Sequence, residues 1–333
     1  GILLLLSGLA ICYRLLIAGS NLWHVNHSGI ITHAMKNLRL HRRRNLTTIT
    51  LLALGSFTVL VTGLNRKPSL SDHPDHSSGT GGFRWWLETT VAILPDLSTP
   101  QGRVKAGLGS SLPHEGIKFF SLPGVNGDDA SCLNLNQVSA PGLLGVPATL
   151  FNQRQAFSWM NIADGIDREH PWLSLEQEPQ NGVINGIADQ TVITWGIRAQ
   201  TGDTLIYTAE NGQPLRIRLA GGLANSIFQG HLLVSDRILR EYYPSSASVK
   251  TLLIDDPKAD QDTVARWLER EWRDLGAVVT DNRQRLRTFG AVENTYLDIF
   301  ILLGAFGLLL GITGAGVMIL RNLRDRQAEL RLY

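Results

Sequence analysis

The side chains most able to do chemistry fall in a few places along the chain. His73, Asp75 and His76 sit within DHPDHSSG, and imidazole and carboxylate groups can ligate metals. They stand in a Pro-, Ser- and Gly-rich stretch with no second cluster beside it, so a solvated loop is expected. Asp128, Asp129 and Cys132 in GDDASC place a thiol beside two carboxylates. Negative neighbours raise a thiol's pKa and withhold the thiolate, so a turn and a buried cysteine are expected rather than a nucleophile. Residues 79–82 (GTGG) lack the lysine and following helix of a phosphate loop, and no GxxxxGK[ST] run occurs anywhere. No catalytic, cofactor-binding or metal-binding residue is therefore assigned, and ATP hydrolysis by this chain itself is not expected.

What remains is cationic. Lys36, Arg39, Arg42, Arg43 and Arg44 form one basic cluster, and Arg321, Arg324, Arg326 and Arg331 form another, with Asp325 and Glu329 interspersed. Each cluster borders an apolar segment. Residues 46–64 (LTTITLLALGSFTVLVTGL) and 299–320 (IFILLGAFGLLLGITGAGVMIL) carry no charge and are long enough to cross a hydrocarbon core of about 30 Å. The threonines of the former can bond back to the helix backbone. Residues 1–18 make a third span, with Arg14 able to snorkel to an end. A secretory signal is the rival for that segment, but it lacks an initiator Met, a basic start and a small-residue cleavage site. The chain is expected to begin inside a span, and AELRLY to stop mid-pattern.

Lys and Arg next to the spans set the orientation. Both basic clusters are expected on the cytoplasmic side, giving out-to-in for 1–18, in-to-out for 46–64 and out-to-in for 297–320. Residues 65–296 hold 21 Lys and Arg against 26 Asp and Glu, a net charge of −5, and are expected outside. The whole chain's formal charge of +2 averages over two compartments and gives no reason to invoke nucleic acid. Residues 28–45 read as an amphipathic elbow on the inner surface. Ile31, Ala34, Met35, Leu38 and Leu40 lie on its apolar face, and its cations meet anionic membrane lipid. Cys12 lies in a span and Cys132 in the outer domain, so no disulfide is expected. Gly304, Gly307, Gly311, Gly314 and Gly316 give the last span a small-residue surface suited to close helix packing.

The outer domain opens with a Pro-, Ser- and Gly-rich linker or loop over 65–82. Residues 83–94 fit either a strand or a short helix. Strand-like runs follow at 117–122, 145–151 and 191–197. A hairpin is expected from 204–207 and 215–219 around ENGQP, with further strands at 230–235 and 249–254. Between Asp260 and Leu275 the period becomes helical, with Val264, Trp267, Leu268, Trp272 and Leu275 on one face and Asp260 or Asp262 as N-cap. A strand over 277–280 completes an α+β layer.

Three stretches together resemble the FtsX-like/MacB-like ABC transporter permeases. GAFGLLLGITGAGVMILRNLRDRQAELRLY resembles that family's Gly-rich span and coupling helix, and MKNLRLHRRRNLTTITLLALGSF its elbow and first span. INGIADQTVITWGIRAQTGDTLIYTAENGQPLRIRLAGGL looks like its periplasmic core, with Thr201-Gly202-Asp203 matching a turn before a hairpin. The resemblance implies membrane helices plus an extracytoplasmic α+β domain of mixed sheets and helices, in a bacterial inner membrane with that domain periplasmic. A span before the elbow departs from the four-span pattern, so the chain is expected to be the second half of a longer, duplicated permease, ending before two further spans. The resemblance further implies a non-catalytic subunit working with a separate ATPase that binds ATP and Mg. Arg321, Arg324, Arg326 and Glu329 would face that ATPase, with the coupling helix starting at 321–333. Gly304, Gly307, Gly311 and Gly314 would pack against other spans or a second permease half. A periplasmic protein or lipoprotein is a further partner it implies. The competing reading is a two-span sensor whose outer domain binds a ligand.

Overall fold

The computed structural model describes residues 2–18, 42–65, 75–108, 112–114, 116–127, 140–179, 181–256 and 262–325. The chain divides into two compact units, Gly1–Pro68 with Val292–Tyr333, and Ser69–Ala291. The elbow segment's Lys36 and Arg39 and the terminal Arg326 and Glu329 lie outside the described residues, as do His73 and the Asp128–Asp129–Cys132 group.

The first unit is helical. Helix α1 is Ile2–Ala18 and α2 is Arg42–Asn65, so the three arginines expected at the end of the elbow begin the α2 helix. The last helix, Asn282–Asp325, contributes its larger part to this unit. Among the described residues, two stretches are long and apolar enough to cross a membrane, Asn45–Leu64 and Asn294–Arg321. The apolar stretch Ile2–Arg14 is shorter. Thr58 Oγ1 donates to Leu54 O at 2.9 Å and Thr313 Oγ1 to Leu309 O at 3.0 Å. Their hydroxyls are thereby satisfied inside the helix without water.

The second unit is a mixed sheet with helices. Its strands among the described residues are β1 Trp85–Glu88, β2 Lys118–Val125, β3 Gly142–Val146, β4 Trp159–Ile162, β5 Val183–Asp189, β6 Thr204–Thr208, β7 Pro214–Leu223, β8 His231–Ser235, β9 Ser248–Asp255 and β10 Val278–Asp281. They lie side by side in the order β10-β1-β9-β2-β3-β8-β5-β7-β4, with β6 paired to β7. The β3–β8 and β5–β7 ladders are parallel and the others antiparallel. All five residues of β3 (GLLGV) are buried, as expected of a central strand covered on both faces. The outlying β6 buries only Tyr207 fully.

Short helices complete the unit: α3 Pro100–Lys105, α4 Ala148–Gln153, α5 Asp236–Tyr242 and α6 Thr263–Glu271. Thr99 caps α3, its Oγ1 accepting from Gly102 N at 3.0 Å, with Pro100 at the first helical position. Of the face expected from spacing, Val264 and Leu268 on α6 and Trp272 just beyond it are buried, and Trp267 and Leu275 are partly buried; Ala265 is buried as well. Asp262 stands at its N-cap position without a side-chain capping bond. The core around Phe83, Phe151, Phe157, Trp172 and Phe228 is strongly aromatic. Phe151 and Trp172 meet edge-to-face with ring centroids 5.1 Å apart, an arrangement that adds to area burial.

Two expectations are corrected. Residues 145–151 are not one strand: β3 ends at Val146, Pro147 starts α4, and Ala148 and Phe151 face the core one turn apart. Residues 191–197 are not a strand either, but a π-helical segment, Val192–Ile197, followed by Arg198 in the left-handed region at φ +61. There Asp189 Oδ1 accepts from both the Thr191 backbone N–H and the Thr191 hydroxyl, and this local cap overrides the strand preference of β-branched residues. The 83–94 segment, open between strand and helix on its pattern, holds strand β1 over Trp85–Glu88 and continues without regular structure. The hairpin is present as β6 and β7, joined through residues 209–213.

Candidate functional site

Within the helical unit, α2 and the helix Asn282–Asp325 (α7) approach so closely that a side chain has no room between them. A Cβ added at Gly55 would lie 2.8 Å from Leu308 N, 3.0 Å from Gly304 O and 3.2 Å from Gly307 C, all backbone atoms. One at Gly304 would meet Val59 Cγ2 at 2.9 Å, and one at Gly311 would meet Leu52 Cγ at 2.7 Å. At Gly307 and Gly314 the contacts are ordinary, 3.7 Å to Gly55 Cα and 3.7 Å to Thr48 Oγ1. Gly316 meets nothing within 4 Å. The close approach is therefore made by Gly55, Gly304 and Gly311. Gly55 was not singled out from sequence, because a lone glycine in a Thr-rich span carries no pattern.

The exposure of α7 is inverted relative to a helix of a water-soluble protein. Gly304 and Gly311 are buried, whereas Leu302, Leu303, Phe306, Leu309 and Leu310 are each more than half exposed. Small residues inside and large apolar residues outside is the arrangement favoured when the surroundings are hydrocarbon. Arg321 and Arg324, at the polar end of α7, are exposed.

In the outer unit, the expected solvated loop is partly a folded turn. The Asp75 carboxylate accepts from Ser77 N at 3.0 Å and Ser77 Oγ at 2.7 Å, and these bonds hold its pKa below the usual carboxylate range. Gly81 and Gly82 adopt positive φ of +62 and +77, and any side chain there would strike the Phe157 and His76 rings. His76 Nδ1 lies 3.2 Å from Arg154 Nη2, and Arg154 Nη1 donates to Asp255 Oδ2 at 2.7 Å. The Arg154 guanidinium also sits 4.8 Å from the Phe83 ring centroid. These residues fasten the turn to the aromatic core, which is a structural task. Among the described residues no group of three His, Cys, Asp or Glu side chains could hold a metal ion.

The Thr201-Gly202-Asp203 turn is built as its residues require. Gly202 has φ +105, and its N–H donates to Leu219 O at 2.8 Å. Asp203 Oδ2 accepts from Gln200 N at 2.8 Å, and Leu219 N donates to Asp203 O at 2.8 Å, so the turn sets the register of β6 on β7.

No family model matches this chain, and no curated protein matches it. Among solved structures, the crystal structure of the periplasmic region of MacB from Actinobacillus actinomycetemcomitans is similar, with a TM-score of 0.34 and 10% sequence identity. The match covers 63% of this chain and 94% of that one.

Proposed function

We propose that this chain is a membrane permease subunit of an ABC transporter of the FtsX/MacB type. In this reading it couples ATP hydrolysis by a separate ATPase to movement of a periplasmic domain, in a bacterial inner membrane. The observation that carries the membrane half of the proposal is the inverted exposure of α7, glycines inward against α2 and leucines and phenylalanine outward. A surface of that kind is stable in lipid and would drive aggregation in water. The basic residues at the two ends nearest Arg42 and Arg321 support a reading with both ends on the cytoplasmic side.

The coupling half is supported by the resemblance of the span and tail sequences and by chain continuity. Strand β10 ends at Asp281 and α7 begins at Asn282, so no linker intervenes between the last strand and the helix that carries the span. The exposed Arg321 and Arg324, with Arg326 and Glu329 beyond, would face the ATPase. Gly55, Gly304 and Gly311 would make α2 and α7 move as one body, because backbone meets backbone at Gly55 and the Val59 and Leu52 side chains fill the places opposite Gly304 and Gly311. Export, lipoprotein or lipid handling, and work on a periplasmic partner all use such a subunit. The test is the double charge reversal Arg326→Glu/Glu329→Arg. Membrane insertion should be intact and stimulation of the partner ATPase lost; unchanged stimulation would remove these residues from the coupling role.

A further inference from the structure

A cleft of about 460 Å3 opens in the outer unit where the sheet is weakly joined. Strand β2 pairs with β9 along its length but with β3 only through Gly124↔Leu144 and Val125↔Leu143. Around that gap the walls are the end of β1, the start of β9, the glycines of β2, β3 and the β8 entry, and the first turns of α7.

Arg285 is the notable group on this wall. Its guanidinium lies 4.2 Å from the Trp86 ring centroid and 5.3 Å from that of Phe289, and its Nε donates to Ile227 O at 3.3 Å. Its side chain is only 19% exposed. Glu88 Oε1 stands 3.7 Å from Arg285 Nη1, an ion pair too long to be a hydrogen bond. That oxygen already accepts from Trp86 Nε1 at 2.6 Å, and Glu88 is half exposed. Burial accordingly lowers the pKa of the Arg285 guanidinium, with Glu88 opposing only in part. A cation in this condition gains from any anion that reaches it. Lys250, exposed on β9, adds a second positive charge on the same cleft, so among the described lining residues Arg285 and Lys250 stand against the one carboxylate of Glu88. The remaining surface is mixed: Leu143, Leu144 and Phe289 are apolar, and Asn126, Gln229, His231, Ser248 and Thr251 are polar.

We propose that this cleft binds a small anion with an apolar body, its carboxylate or phosphate held by Arg285 and Lys250 and its body laid against Leu144 and Phe289, which share the face of Trp86. A planar guanidinium kept in place by ring stacking is suited to fork onto either anion. This site does not depend on the transporter reading, since it lies within the outer unit.

The test is calorimetric titration of the full chain in non-ionic detergent with hexanoate and with hexyl phosphate, corrected against empty micelles. Hexyltrimethylammonium supplies the same body with the opposite charge, and acetate the charge without the body. Saturable binding of hexanoate or hexyl phosphate is expected, with the tighter of the two identifying the anion class, and no binding of the ammonium. Lys250→Gln, on an exposed side chain, should weaken binding about tenfold, the loss of one charge-assisted contact. Arg285→Gln should abolish it, with circular dichroism reporting whether the fold survives. Lys118→Gln, an exposed lysine of β2 outside the cleft, should leave affinity unchanged. The proposal is overturned if neither anion binds saturably, or if the ammonium binds as well. It is equally overturned if Lys250→Gln binds like the wild type, or if Lys118→Gln weakens binding as much.

Discussion

Replacing Gly55 tests the helix seam more sharply than any other single change. An alanine Cβ there would sit 2.8 Å from Leu308 N and 3.0 Å from Gly304 O. Favourable contacts with carbon lie at roughly 3.5–4.0 Å, so the two helices must part by about 0.7 Å or more. The atoms struck are backbone, and no rotamer change can relieve them. Overpacking of this kind costs about 1–3 kcal/mol, which is roughly 5- to 150-fold in the balance between packed and separated helices. Isoleucine should exceed that range. The same reasoning ranks the partners: Gly304→Ala and Gly311→Ala strike side chains, Val59 and Leu52, that can yield in part. Gly307→Ala and Gly314→Ala meet ordinary 3.7 Å contacts, and Gly316→Ala meets nothing. The assay is disulfide formation in native membranes between Thr48→Cys and Gly314→Cys, in a Cys12→Ser/Cys132→Ser background. A Cβ at Gly314 lies 3.7 Å from Thr48 Oγ1 and 3.9 Å from Thr48 Cγ2, so side chains at the two positions touch and cysteines there are in reach of one another. Cross-linking should be high in the parent, reduced by Gly55→Ala, absent with Gly55→Ile and unaffected by Gly316→Ala. Undiminished cross-linking in Gly55→Ile would refute the seam.

Trp172 is 1% exposed and its Nε1 donates to Ala156 O at 2.9 Å. Trp172→Ala should cost about 3–5 kcal/mol, read as a lowered denaturant midpoint of the outer unit's unfolding; a shift under a third of that would show the aromatic core can collapse into the space. Asp281 is more proton-binding when folded, because burial raises its pKa above 3.8 more than Arg84 lowers it. That contribution is present below 3.8 and is lost as pH rises through the raised value. Wild type should therefore lose stability relative to Asp281→Asn across that window, measured by denaturant titration at each pH; a relative gain would mean that the Arg84 contact at 3.1 Å outweighs burial.

Much of the outer fold was legible where the local pattern and the tertiary environment agree. The β6–β7 hairpin announces itself through ENGQP, and α6 through Val264 and Leu268 spaced one turn apart. Short apolar runs misled, because strand and helix of five or six residues share composition. In 145–151 Pro147 turns the chain into α4, and in 191–197 the Asp189 cap stabilises a π turn. Neither effect has a period to read. The helix seam was half visible: the glycines of the last span stand out, whereas Gly55 acquires meaning only from Gly304 and Leu308, about 250 residues away. Arg285 is likewise one arginine among several in RQRLR until the fold lays it over Trp86. Sequence shows charge and period, but not which distant ring will desolvate a cation.

The central claim is that this chain exists to couple an ATPase to a periplasmic domain. It is tested most directly by purifying the full-length protein from its own membrane and measuring nucleotide hydrolysis in what accompanies it. A stably bound ATPase is predicted, with hydrolysis raised by the intact subunit and reduced by Gly55→Ile. Purification without any ATPase, or a bound ATPase indifferent to both the subunit and the Gly55 substitution, would contradict the account.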